Sequence, residues 1–133
     1  MTWIFEQSTG NLVSPSGEVV ASGYAGGNCG KNPEGRNNPA LQNVPCIGPL
    51  PVGTYTFGLP VPVSKLGPYA IPLIPDSRNE MYGRGDFYMH GDRVGDPGAA
   101  SEGCIIMPRA IRDEVWASDD HTLMVVSGLI TEG

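Results

Sequence analysis

The chain has 133 residues, with 14 acidic against 8 basic side chains, a net charge of −6 and an isoelectric point near 4.7. The length suits one domain, 1–133, and the acidic balance with no run of Lys or Arg argues against nucleic-acid binding. No stretch approaches the roughly 20 apolar residues that span a bilayer, and the high Gly (19) and Pro (13) counts point to a loop-rich, mainly β protein.

In chain order, "TWIFEQ" (2–7) reads as a first strand, followed by a turn at Thr9-Gly10-Asn11. "NLVS" and "EVVASG" read as the next two strands, parted by the turn "SPSG". Residues 24–53 are rich in Gly, Asn and Pro and lack an apolar period, which predicts a long ordered loop or lid. "GTYTFG" (53–58) predicts a short strand with Tyr55 and Phe57 on one side. Residues 59–75 carry five prolines and are expected to form edge strands or extended segments, not a central strand. "DFYMH" (86–90) predicts a core strand with Phe87 and Met89 on one face and Tyr88 and His90 on the other. "GCIIMP" opens another strand at Cys104. "PRAIRDEVWAS" (108–118) predicts the one clear helix, with Pro108 at its start and Ile111 and Val115 forming a buried stripe. "HTLMVVSG" (121–128) predicts a last strand. The start of the chain has neither a basic region nor a long apolar run, so no secretory signal is expected.

The chemistry concentrates in "FYMHGDRVGDPGAASEGCIIMP" (87–108), which holds His90 and Cys104, each beside a glycine. A thiol attacks a carbonyl as thiolate, and free cysteine is mostly protonated at neutral pH. A histidine in reach can take that proton and return it to a leaving amine. Gly91 after the histidine is expected to let its ring project from a strand rim. Ser101 and Gly103 shape the turn before Cys104, and the amides around Gly103 and Cys104 are expected to face an oxyanion. Asp92 either orients His90 or caps local turn amides.

Two other readings stay open from the residues alone. His90, Asp92, Cys104 and His121 are candidate zinc ligands, although no recognised ligand spacing is present. A non-catalytic cell-wall or partner-binding β module would use Cys104 as a small buried residue. Cys29 and Cys46 either pair, closing the loop between them for about 3 kcal/mol, or remain thiols in a reducing compartment.

"HGD" followed by "SEGCI" resembles the motif of the L,D-transpeptidase catalytic domain. "WIFEQSTGNL", "GYAGG", "GPLPVGTY" and "GRGDFYMHGD" extend the resemblance to a compact branch of antibacterial effectors delivered by type VI secretion. The resemblance implies a compact β-sandwich or barrel-like domain with one or two short helices and a long Gly/Asn/Pro-rich loop. It implies no cofactor, and a thiolate that attacks meso-diaminopimelate in a peptidoglycan stem peptide and expels D-alanine. The thioester then passes to water, a D-amino acid or a second stem, an alternative the sequence leaves open. By position, Cys104 is the nucleophile and His90 the base. Many members carry an arginine shortly after the cysteine, where this chain has Ile105 and Ile106. Arg84, Arg93 and Arg109 are the substitutes for gripping a substrate carboxylate, with Gly91, Tyr82 and Tyr88 as further substrate contacts. The resemblance further implies an immunity protein, a secretion-machine component and action in the periplasm of a target cell. A periplasmic or phage-encoded cell-wall enzyme is the alternative.

Overall fold

The computed structural model describes residues 2–128, so Met1 and residues 129–133 of the expected domain lie outside the described residues. The strands are β1 (Trp3–Glu6), β2 (Asn11–Val13), β3 (Val19–Ser22), β4 (Tyr24–Ala25), β5 (Gly53–Phe57), β6 (Val61–Val63), β7 (Gly67–Pro75), β8 (Tyr88–His90), β9 (Ile105–Ile106) and β10 (Thr122–Val126). One helix, α1 (Arg109–Ala117), joins β9 to β10, and two short 3-10 turns lie within residues 24–53. The protein is mainly β, as expected.

The strands form one mixed path, β3-β2-β1-β10-β5-β7-β8-β9-β4, with β6 added beside β7. β3 and β4 stand at opposite ends of that path, yet only Gly23 separates them in the chain. The path therefore has to roll round until its ends meet, which gives the domain its barrel-like closure. Gly23 is the seam. Its N–H donates to the Gly10 carbonyl beside β2 at 2.8 Å, and a Cβ on it would overlap the Ile106 carbonyl oxygen of β9. Only glycine lets the two edges approach this closely.

Alternation along the strands fills the interior. Trp3, Leu123 and Tyr55 pair across β1, β10 and β5, and Phe5 and Val125 form the next inward pair. All five are buried, with Leu12, Phe57, Ile71, Leu73, Met89 and Ile105 in the same core. Each such side chain contributes roughly 1.5–3 kcal/mol through burial. Helix α1 docks with Val115 buried and Ile111 half-buried, as the spacing predicts, and adds Arg112 to the same stripe. Pro108 sits just before the helix, as its N-cap.

The proline-rich segment departs from expectation. β7 is nine residues long and lies between β5 and β8, inside the path. It escapes the usual bar on proline in central strands by changing partners along its length. Residues 73–75 pair with β5, residues 71–72 with β8, and the Gly67–Ala70 part with β6. Pro72, which has no N–H to offer, takes part through its carbonyl, which accepts from Gly58 N at 2.8 Å.

Gly23→Ala is expected to lower stability by about 3 kcal/mol or more, because the displaced atoms are backbone. Gly95→Ala, where an added methyl group meets open space, is expected to change it by less than about 0.5 kcal/mol. Chemical denaturation of both variants checks the seam.

Candidate active site

β8 and β9 run parallel, with Met89 opposite Ile105 and His90 opposite Ile106. One step back, Cys104 falls beside Tyr88, and the Tyr88 N–H donates to the Cys104 sulfur at 3.3 Å. Alternation then places Cys104 and His90 on the same face, as diagonal neighbours about 7–8 Å apart between backbones. Phe87, Met89 and Ile105 point the other way, into the core. The parallel pairing thus turns a long separation in sequence into a proximity on one surface.

That surface floors a cleft of about 800 Å³. One wall is the 24–53 segment, represented by Cys29, Pro45 and Cys46. Another is the tip of the β6–β7 hairpin, Lys65 to Gly67. The approach to β8 (Gly83 to Phe87), the stretch His90 to Arg93, and the turn Glu102 to Cys104 complete it. The long loop is an ordered wall of the cleft rather than a surface excursion.

His90 is only 2% exposed, so it lies in the floor and not on a projecting rim. Its Nδ1 lies 2.9 Å from the Gly91 carbonyl oxygen. A carbonyl only accepts, so Nδ1 carries the proton and Nε2 keeps its lone pair. That Nε2 is buried and has no hydrogen-bond partner among the described residues. A buried acceptor left unpaired is costly, and it is the arrangement a proton acceptor needs. Burial lowers the His90 pKa; the Gly91 hydrogen bond pulls it back, the Arg112 charge lowers it further, and Asp92 raises it slightly. The imidazole is accordingly neutral at neutral pH.

Burial also pushes the Cys104 thiol up to about 11; the Tyr88 N–H and Arg84 pull it down, while Glu102 and Asp86 add to the rise. The resting pair is therefore thiol and imidazole, not an ion pair.

Ser101, 1% exposed, knots the nucleophile turn. Its Oγ accepts from the Gly26 N–H at 2.8 Å and the Gly103 N–H at 3.0 Å, and donates to the Cys104 carbonyl at 2.6 Å. The Gly103 amide, expected to face an oxyanion, is thereby committed to Ser101. Gly103 itself has φ +134°, and a Cβ there would lie 2.6 Å from Arg84 Nη2 and 2.7 Å from Phe87 Cε1.

Asp92 hydrogen-bonds the crossing loop and not the His90 ring. One carboxylate oxygen accepts from the Tyr24 hydroxyl at 2.7 Å, the Arg93 N–H at 2.9 Å and the Gly98 N–H at 3.1 Å; the other also receives Gly98. Tyr24 Oη in turn accepts from the Ala100 N–H at 3.0 Å. Burial and this carboxylate raise the Tyr24 pKa, which keeps the hydroxyl protonated as a donor.

The three arginines differ. Arg84 lines the cleft, but its guanidinium donates to the carbonyls of Gln42, Pro49, Gly48 and Glu102 at 2.6–3.1 Å and lies over the Phe87 ring. It clamps the long loop to the nucleophile turn. Arg109 pairs with Asp113 at 3.0 Å, packs on Tyr69 and does not line the cleft. Arg93 lines the cleft without a side-chain bond among the described residues. Gly91 lines the cleft; the side chains of Tyr82 and Tyr88 do not, and Tyr88 enters through its backbone.

Cys29, Cys46 and Cys104 are free thiols, so the Cys29–Cys46 pairing is not formed here. The Cys29 sulfur turns toward the Glu102 carboxylate, at 3.9 Å. The four zinc candidates do not gather: His121 stacks on Trp116 at 4.2 Å and binds its carbonyl, and no group of three or more donors able to hold a metal occurs among the described residues. Lys65 and Tyr24 escaped the sequence reading, since neither carries a local signal; only the hairpin and the seam bring them to the site.

The cleft thus holds a buried histidine and a cysteine that follows a Ser-x-Gly turn, on the face of a mainly β domain. Residues 24–128 match the Tlde1 domain family, and the chain belongs to that family of type VI secretion antibacterial effectors related to L,D-transpeptidases and directed at peptidoglycan. No curated protein and no solved structure matches the chain.

Two outcomes are expected. Ser101→Ala leaves two buried N–H groups unpaired and should cost about 2–3 kcal/mol in denaturant unfolding. For His90, the folded pKa lies below the unfolded value of about 6.5. Its contribution is complete above that value, and as pH falls below it the unfolded chain takes a proton the folded chain refuses. Stability should fall by at most about 1.4 kcal/mol per pH unit from this group, and the decline should be shallower in His90→Gln.

Proposed function

We propose that the protein is a cysteine acyltransferase of the L,D-transpeptidase or L,D-carboxypeptidase type. It acylates Cys104 with a peptidoglycan stem tetrapeptide and releases D-alanine. The observation that carries this reading is the buried, unpartnered Nε2 of His90 in the cleft that also holds Cys104.

In this reading the cleft receives the stem peptide with the meso-diaminopimelate carbonyl over Cys104. His90 Nε2 takes the thiol proton as sulfur bonds to that carbonyl carbon, and Nδ1–H stays on the Gly91 carbonyl, holding the ring in the useful tautomer. With the Gly103 amide held by Ser101, the Cys104 amide serves the oxyanion. The tetrahedral intermediate collapses, the C–N bond breaks, and His90 gives its proton to the departing amine. Water or an amine then attacks the thioester, and sulfur leaves with the proton returned through His90. The protein acts in the periplasm of a target bacterium after delivery by a secretion system, and a cognate immunity protein blocks the cleft in the producing cell.

Cys104→Ala is expected to fold as the parent does and to release no D-alanine from disaccharide tetrapeptides. His90→Ala should lose at least about a hundredfold in turnover. Mass spectrometry of muropeptides, with and without an added D-amino acid, reads substrate, bond and acceptor together. Undiminished release by Cys104→Ala would sink this reading.

A further inference from the structure

The cleft is lined by both cations and carboxylates. Three cations line it: Lys65, Arg84 and Arg93. Arg84 has its donors committed to four carbonyls, as described above. Lys65 and Arg93 are exposed, and neither side chain has a bonded partner among the described residues.

The sheet register tells which end they occupy. β7 runs antiparallel to β8, with Pro72 opposite Tyr88 and Ile71 opposite Met89. Moving back along β7 therefore moves forward along β8, past His90 and toward Gly91–Arg93. Arg112 shows that the course continues, since its Nη1 donates to the Tyr69 carbonyl at 2.5 Å while a Cβ on Gly91 would lie 2.9 Å from its Nη2. The hairpin tip carrying Lys65 thus faces the His90 end. Asp86 and Glu102 line the cleft too, near Cys104, on which their charges act. Asp92 also faces the His90 end, but both its oxygens are held by Tyr24, Arg93 and Gly98.

The proposed chemistry fixes what must lie there. The leaving amine takes its proton from His90, so the leaving residue sits over that end of the cleft. The α-carboxylate of a terminal D-alanine is two bonds from that nitrogen. We infer that Lys65, assisted by Arg93, forms a carboxylate subsite that holds the departing D-amino acid and takes the carboxylate of an incoming one. The inference rests on the acyl-transfer reading above. Attack by a D-amino acid is the reverse of D-alanine departure: a C–N bond forms, the C–S bond breaks, and an amine proton passes through His90 Nε2 to the sulfur. The group that anchored the leaving carboxylate therefore anchors the acceptor, which favours exchange over hydrolysis when free D-amino acid is present.

The test compares parent, Lys65→Gln, Lys65→Arg and the Lys65→Gln/Arg93→Gln double variant on disaccharide tetrapeptide with a free or an amidated terminal carboxyl group. Lys65→Gln should raise KM for the free acid about tenfold with little change in kcat, and the double variant should raise it further. Lys65→Arg should recover most of the loss. The amidated peptide should be a poor substrate for the parent and indifferent to Lys65→Gln. With added D-methionine, the ratio of exchange to hydrolysis should fall in Lys65→Gln. Unchanged KM and unchanged exchange in the double variant, with an active parent, would overturn the subsite and leave the acyl-transfer reading standing. A parent that releases no amino acid from either peptide would overturn both.

Discussion

The site depends on a parallel pairing of two very short strands. Met89 meets Ile105 and His90 meets Ile106, and little else of β8 and β9 touches. Parallel strands need a long crossover, usually supplied by a helix. Here residues 91–104 make the crossing with no helix, so polar side chains must do the work of a packed element. Asp92 and Tyr24 gather the first part of the loop, and Ser101 gathers the last. These residues have chemistry-bearing types but serve the backbone. They fix where the loop leaves Cys104 and His90.

The electrostatics of the cleft follow from the same burial that stabilises it. Taking Cys104 and His90 out of water disfavours the charged form of each, so the thiol pKa rises and the imidazole pKa falls. The result is a neutral pair with one lone pair left unsatisfied. Neither group carries a charge at neutral pH, so the floor of the cleft is uncharged at this point.

The long segment 24–53 becomes a wall through glycine contacts and one arginine. Gly35 and Gly48 pack where a Cβ would overlap the Ile47 and Leu41 carbonyls, and Asn28, Cys29, Asn37 and Cys46 take positive φ values that let the chain double back. Arg84 then bonds carbonyls of both this wall and the nucleophile turn. A guanidinium with several donors in one plane can join carbonyls from separate stretches, which an ammonium does less well. Arg84 is consequently a brace between the wall and the turn that carries Cys104.

The sequence by itself determined whatever depends on near neighbours. The alternation in β1, β5 and β10, the stripe of α1, and the glycine-flanked histidine and cysteine were all legible, because period and turn chemistry act over a few residues. Tertiary structure alone decided the rest. β7 became a central strand because three different partners share its length. Gly23 became the seam because Gly10 and Ile106 close on it from far along the chain. Asp92 turned from His90 because Tyr24, distant in sequence, supplies a hydroxyl. Lys65 reached the cleft because β7 runs antiparallel to β8. In each case the deciding partner lies on another strand, and no local pattern encodes which strand that will be.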